Sequence, residues 1–388
     1  MARRVFVAAC KRRDVPFIRI NYNQYYNLLG LCLLTFKQLI IMPSTKAYAA
    51  QSASTPLESW IIERRDPKPH DVQIQILYCG VCHSDLHFAR NDWGMSVYPI
   101  VPGHEIVGRV TAVGAHVKKF KAGDLAGIGC LVDSCRECDN CKEGLEQYCS
   151  GGAVFTYNGN EKDGSGNTYG GYSKSILAHE DFVLRISDKQ PLEAIAPLLC
   201  AGITTYSPLR HWKVGKGTRV AVLGLGGLGH MAVKLAASMG AEVTMLSHSA
   251  WKKADAHRLG AHNFVLTSDE EQVKTVAGYF DFILDTVSAA HDYNLYLAML
   301  RTNGVMVCVG VPPAPAEIPA FNLIFGRKSF AGSLIGGVPE TQEMLDYCAE
   351  HNIVSDIELI AMKDINEAYE RMLKGNVKYR FVIDMATL

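Results

Sequence analysis

The sequence predicts an α/β protein: a doubly wound parallel sheet joined to a second, mainly β unit. Three observations carry that expectation. Residues 218–223 are a short apolar, β-branched run followed directly by Gly224-Leu225-Gly226-Gly227-Leu228-Gly229. Leu228, Met231, Leu235 and Met239 then recur at helical spacing until Gly240 ends the helix, and 242–246 reads as the next strand. Further strands are legible at 263–266, 280–284, 305–309 and around 330–333, and six strands fit two βαβαβ halves.

A glycine-rich turn alone is common. Between a strand and a helix inside a βαβ unit it meets the context that a dinucleotide fingerprint requires. The first glycine permits the turn, the second lets a pyrophosphate approach the backbone, and the third lets helix pack on strand. The helix N-terminal N–H groups then face the phosphates.

At 388 residues the chain is long enough for two domains with sizeable cores. Its 39 basic residues balance 39 acidic ones, so no net field favours nucleic acid or an anionic membrane. Twelve cysteines in clustered spacing fit metal ligation better than disulfides, which argues for a reducing compartment.

Taken in order, residues 1–41 stand apart. Their start is basic (Arg3, Arg4, Lys11, Arg12, Arg13, Arg19), and Leu28 to Phe36 is an apolar run too short to span a bilayer. They read as an extension outside the fold; the competing reading is an export signal, since Ala47-Tyr48-Ala49 looks like a cleavage site. From Met42 to about Cys200 the texture is strands and Gly/Pro turns, with 72–77 alternating as a half-buried strand should. Gly80-Val81-Cys82-His83-Ser84-Asp85-Leu86-His87 and Pro102-Gly103-His104-Glu105 offer metal-ligand types after turns, although either segment alone reads more readily as a buried Cys or a structural His.

Cys135, Cys138, Cys141 and Cys149 are separated by 3, 3 and 8 positions. Short loops of that kind can wrap four thiolates at about 2.3 Å around one tetrahedral ion, a closed and therefore structural zinc site; two disulfides are the alternative. Residues 151–171 read as a surface loop carrying Phe155 and Tyr157 as pocket walls, and Pro197 onward opens an apolar helix past Cys200. After 336, helices at 340–350 and 365–374 precede a final strand at 379–384.

Together, Gly80-Val81-Cys82-His83-Ser84-Asp85, Pro102-Gly103-His104-Glu105, the four-cysteine lobe, Leu199-Cys200-Ala201-Gly202-Ile203-Thr204 and the glycine turn resemble, in order, the zinc-dependent medium-chain alcohol dehydrogenases, specifically the cinnamyl alcohol dehydrogenase branch. The resemblance runs from about residue 46 to the C-terminus. It implies a GroES-like catalytic domain at 42–200 with a structural zinc lobe at 130–150, a Rossmann NADP-binding domain at 201–335, and a C-terminal return to the catalytic domain at 336–388. It further implies two zinc ions per chain. Cys82, His104 and Cys200 would hold the catalytic one, with Glu105 able to enter its shell, and Cys135, Cys138, Cys141 and Cys149 the structural one. Asp85 would orient the ligating histidine, Ser84 would bond the substrate oxygen, and His87 would end a proton relay to solvent.

For the cofactor, the resemblance implies that Thr204 and the backbone at Ser333, Leu334 and Ile335 hold the nicotinamide. Thr286 and Gly310 would line it, while Arg380 would meet the pyrophosphate or a carboxylate near the metal. Trp93 and Phe155 are the expected substrate walls. Plant relatives carry a tryptophan near Val154; its lack here disfavours a dedicated lignin-precursor role and favours broad aldehyde reduction. NADP(H) is expected from the residues themselves. No acid follows the second strand to take the ribose hydroxyls; Ser247, His248 and Ser249 stand there instead, with Lys252 and Lys253 within a helical turn. Two solvated surface lysines are the plainer reading of that segment.

The implied activity is zinc-dependent interconversion of primary alcohols and aldehydes by hydride transfer with NADP(H). The alternatives are a zinc-free type of quinone or enone reductase, whose class lacks these ligands, and a non-catalytic NADPH-binding redox sensor. Expected partners are a small alcohol or aldehyde and a second copy of the chain, without nucleic acid or membrane, in the cytoplasm.

Overall fold

The computed structural model describes residues 44–388; the expectation of an N-terminal extension at 1–41 lies outside the described residues. Two large sheets organise the rest. The first is parallel and six-stranded, in the order Asn263–Leu266, Glu242–Ser247, Arg219–Leu223, Phe280–Asp285, Leu300–Cys308, Ser329–Gly332. Chain order reverses between Arg219–Leu223 and Phe280–Asp285, and the crevice beyond the carboxyl ends of those two strands is where this topology receives a nucleotide. The glycine turn lies there. Gly224 has φ +87°, and a Cβ on Gly229 would overlap the Gly224 carbonyl, so neither position tolerates a side chain.

The strand read at 305–309 begins earlier, at Leu300. Its first residues hide behind turn chemistry: Asn303 has φ +66°, and the pairing shifts register between Phe280 and Phe282.

The second sheet runs Ile357–Ala361, Arg380–Asp384, Asp71–Gly80, Ile106–Val113, Leu125–Ile128, Leu184–Arg185, with Ser175–His179 also pairing Asp71–Gly80. Its pairing of Val382 with Gly80, and of Val81 N–H with the Phe381 carbonyl at 2.9 Å, carries the C-terminal strand up to the segment holding Cys82.

Helix Ala201–His211 is buried from Ala201 through Leu209. Its Tyr206 and Leu209 share one apolar cluster with Val107 and Val382 of the second sheet and Val220 and Val222 of the first. Each fully buried side chain of that size is worth about 1.5–3 kcal/mol relative to exposure, so the two sheets are held against each other through this helix. Among the described residues, no helix is long and apolar enough to cross a membrane.

Candidate active site and metal centres

Strand Asp71–Gly80 ends at a residue that must be glycine, because a Cβ on Gly80 would overlap the Glu105 carboxylate. The chain then turns into the short helix His83–Ala89, with Cys82 at its N-cap. Asp85, fully buried, makes that turn and joins it to the next one. One of its oxygens accepts the Cys82 N–H at 2.8 Å; the other accepts the Gly103 N–H at 2.9 Å and lies 3.4 Å from His104 Nδ1. Tyr172 adds its hydroxyl at 3.3 Å. Asp85 therefore fixes the backbone of both ligand loops as well as the imidazole. Cys200 arrives from the other side, at the break between the 3₁₀ turn Ala196–Leu199 and helix Ala201–His211, where φ −129° and ψ −66° interrupt the expected continuous helix.

These segments bring one ligand atom each of Cys82, His104, Glu105 and Cys200 within 4.8 Å of one another, all buried, with the two sulfurs 3.9 Å apart. His104 Nε2 and Glu105 Oε2 are buried with no hydrogen-bond partner, an expensive arrangement for polar atoms unless a ligand satisfies them. The Cys200 thiol, hydrogen-bonded to Cys82, holds the Cys82 thiol well below the ordinary range against the cost of burial, and Arg380 assists. Two sulfurs, one imidazole and a carboxylate in reserve fit zinc. That carboxylate, Glu105, is drawn aside into an ion pair with buried Arg380.

An aromatic series leads outward from the ligands. Tyr157 stacks on His104 at 5.6 Å and 17°, Phe88 meets Tyr157 edge-on at 5.4 Å, and Trp93 contacts Phe88 at 4.9 Å and His87 at 5.2 Å. Trp93 thus lies in this wall. Phe155 does not join the series: it pairs with Leu131 in a two-residue strand and is 41% exposed, while its neighbour but one, Tyr157, takes the place beside the ligand. Ser84 Oγ lies 3.7 Å from Cys82 Sγ, and half-exposed His87 bonds Asp92 through Nδ1 at 2.7 Å. Cys130, which no sequence motif singles out, carries a further thiol hydrogen-bonded to Cys200; that bond, the one to Cys82 and burial push the Cys200 thiol up.

On the nucleotide side, Thr286 Oγ1 donates to the Leu223 carbonyl at 2.8 Å or to Gly224 at 3.1 Å, pinning the start of the glycine turn. Gly310 packs so closely on Val287 that a Cβ would strike its backbone. Thr204 sits one helical turn beyond Cys200, its N–H bonded to the Cys200 carbonyl at 2.9 Å. Ser247 ends its strand and accepts the Ser249 N–H at 3.1 Å, His248 is exposed, and Lys252 Nζ donates to the Leu225 carbonyl at 2.8 Å. Lys252 is therefore attached to the glycine turn itself. Arg380 lies against Gly227, where a Cβ would come within 2.9 Å of its guanidinium. Arg380 thus pairs with the Glu105 carboxylate while its Cδ and guanidinium border the glycine turn. Beyond the last strand, Ser333 N–H bonds the Cys308 carbonyl at 3.2 Å, Leu334 N–H bonds Tyr148 Oη at 3.1 Å, and Ile335 is buried with φ +37°.

Cys135, Cys138, Cys141 and Cys149 form the second cluster, their sulfurs all within 4.8 Å of one another. The N–H of Cys138 points at Cys135 Sγ, and that of Cys135 at Cys149 Sγ, both at 3.3 Å. The Cys141 N–H draws the Cys138 thiol down to about 6, whereas desolvation pushes Cys141 up to about 12. Four sulfurs this close can all be thiolates only around a cation, and the set fits a closed zinc site.

Comparison with known proteins agrees in both halves. Residues 68–188 match the family model of the alcohol dehydrogenase GroES-like domain, and residues 227–350 that of the zinc-binding dehydrogenases. The chain is 58% identical over 348 residues to "NADP-dependent alcohol dehydrogenase C 1" of Mycolicibacterium smegmatis, covering 89% of this chain and 99% of that protein. It is 56% identical to "Aldehyde reductase YahK" of Escherichia coli, covering 88% and 99%. Among solved structures, a cinnamyl alcohol dehydrogenase from Sorghum bicolor superposes with a TM-score of 0.86 at 46% identity, covering 89% of this chain and 98% of that one.

Proposed function

We propose that this chain, since it belongs to the zinc-dependent medium-chain alcohol dehydrogenase family, interconverts primary alcohols and aldehydes with NADP(H), reducing a broad range of aldehydes. The observation that carries this reading is the buried set of Cys82, His104 and Cys200, with His104 Nε2 unpartnered, joined through Glu105 and Arg380 to the glycine turn. The catalytic unit is 42–200 with 336–388, the nucleotide unit is 201–335, and the zinc lobe is 130–150.

When bound, zinc supplies a Lewis acid for the carbonyl oxygen and the nicotinamide supplies the hydride. The chain does the holding. Cys82, His104 and Cys200 would hold the zinc, and Asp85 fixes the ring of His104 and the loops on either side of it. Arg380 holds the Glu105 carboxylate in an ion pair beside these three ligands. Ser84, beside Cys82, offers its hydroxyl to the substrate oxygen, and half-exposed His87 exchanges the proton with water. Tyr157, Phe88 and Trp93 give the substrate an apolar, aromatic flank. Ser247, Ser249 and Lys252 take the 2′-phosphate, with Lys252 using donors beyond the one spent on Leu225. Thr204, Thr286, Gly310 and the backbone from Ser333 to Ile335 form the rest of the nucleotide bed.

A second copy of the chain is the partner this surface suits. Strand Ser329–Gly332 is an open edge of the parallel sheet, and nearby Phe321, Ile324 and Phe325 are 65%, 66% and 85% exposed. Seven cysteine and histidine ligands that must stay reduced or unprotonated suit a cytoplasmic location. The complete ligand set disfavours a zinc-free reductase. The test is metal counting, with two zinc ions per chain expected, together with an aldehyde panel assayed with NADPH and NADH; one metal and no aldehyde turnover would overturn the reading.

A further inference from the structure

We propose that His230 is a positioning residue for the dinucleotide. It ties the glycine turn to the C-terminal segment that carries Arg380, and the idea rests on the NADP(H) reading above. His230 is the second residue of helix Gly229–Ser238 and is fully buried, yet it touches neither metal cluster. Its Nδ1 lies 3.2 Å from the Gly226 carbonyl and its Nε2 3.0 Å from Ser355 Oγ. A carbonyl can only accept, so Nδ1 carries the proton and Nε2 accepts from the Ser355 hydroxyl. One neutral tautomer satisfies both partners, in keeping with burial holding this imidazole down to about 3.

The ring also stacks on Tyr379 at 5.1 Å and 15°. Tyr379 in turn donates its hydroxyl to Asp255 at 2.9 Å and immediately precedes Arg380. Nearby, Lys234, one turn further along the same helix, pairs with Asp356. A single imidazole therefore joins the middle glycine of the fingerprint, the loop at Ser355 and the strand that reaches the catalytic centre.

The physical need is clear. Glycine turns lose more conformational entropy on ordering than any other segment, and a nucleotide bed that is already ordered does not charge that cost to binding. The Gly226 carbonyl accepts from the backbone N–H of His230 at 3.0 Å as the first bond of the helix. The imidazole supplies a second donor to the same oxygen. That fixes the peptide whose neighbours must face the pyrophosphate.

The experiment titrates NADPH against the zinc-loaded protein by fluorescence, for the unmodified chain and for His230→Ala, His230→Gln and Ser355→Ala. Zinc content and melting temperature are recorded for each. His230→Ala should bind NADPH about tenfold more weakly, as loss of a buried hydrogen bond predicts, with the rise in NADPH KM exceeding any fall in kcat and with two zinc ions retained. Gln can present both a donor and an acceptor, so it should recover most of the loss. Should His230→Ala fail to fold, Ser355→Ala carries the test, with an expected weakening of about threefold. Unaltered NADPH affinity in a folded variant, even with a lower melting temperature, overturns the proposal, for then the ring only packs. Failure of the unmodified chain to bind NADPH overturns instead the cofactor reading beneath it.

Discussion

The two metal clusters differ in how they are made. The four cysteines of the lobe lie within 15 residues of sequence, between Cys135 and Cys149, and their sulfurs are wrapped by their own N–H groups. The other cluster gathers Cys82, His104 and Cys200 from a helix cap, a loop and a helix break, and buries them under Asp85, Tyr157 and Arg380. A closed set of identical ligands can only hold; an open, mixed set with an unpartnered nitrogen can also bind and polarise. The local cluster is built by the chain, whereas the distant one is built by the fold, so damage to each should be read out differently.

The sharpest way to break that comparison is Cys200→Ala. It should empty the catalytic position and reduce benzaldehyde turnover by at least about a thousandfold, since Lewis-acid stabilisation is worth several kcal/mol. NADPH binding should persist, because the glycine turn is held by Thr286, Lys252 and His230. Turnover surviving within about tenfold would remove the metal from the chemistry. Asp85→Asn is the next largest. An amide cannot accept at both ends, so either the Cys82 or the Gly103 N–H loses its acceptor. Activity or catalytic-zinc affinity should then fall about 10- to 100-fold, the usual cost of disturbing a ligand's support, while the lobe zinc stays. Loss of both metals together would show Asp85 to be a folding residue.

What the sequence revealed divides along the same line. The lobe and the glycine turn are readable because each is a short pattern whose geometry follows from local spacing, whereas Cys82, His104 and Cys200 become a ligand set only through the family resemblance. The parallel sheet was readable because its strands are apolar runs closed by turn residues. The resemblance leaves Arg380 between the pyrophosphate and a carboxylate; its pairing with Glu105 joins positions far apart in sequence, near where the C-terminal strand pairs with Asp71–Gly80. Tyr172 on Asp85 and His230 on Ser355 likewise join positions far apart in sequence. Phe155 and Tyr157 show the limit most simply. Two residues apart in a loop and both aromatic, they offer similar chemistry; Phe155 is the expected wall, yet packing puts Tyr157 on His104 and leaves Phe155 facing solvent.

Cofactor choice gives a smaller effect that sharpens the nucleotide half. We expect NADPH to be preferred at least tenfold in kcat/KM, about 1.4 kcal/mol. Ser247→Asp should move that preference toward NADH, because a carboxylate there would repel the 2′-phosphate and accept from the ribose hydroxyls. Equal efficiency with both cofactors in the unmodified enzyme would leave Lys252 as no more than a clamp on Leu225.

The smallest effect on turnover belongs to the lobe, through Cys141→Ser. Losing one thiolate from a closed set should release its zinc and several kcal/mol of local stability, a fall of roughly 5 °C or more in Tm. The lobe is not isolated, however. Glu146 accepts the Val338 N–H at 2.9 Å, and Tyr148 Oη receives the Leu334 N–H at 3.1 Å. Those are the residues leading out of the backbone we assign to the nicotinamide. If the lobe only stabilises, soluble Cys141→Ser protein should keep kcat within about threefold while its NADPH KM drifts upward through this strap. A drop in kcat comparable to that of Cys200→Ala would mean that the two clusters act as one, and the contrast between holding and polarising would fail. Unchanged Tm and zinc content would mean that the four cysteines hold no metal.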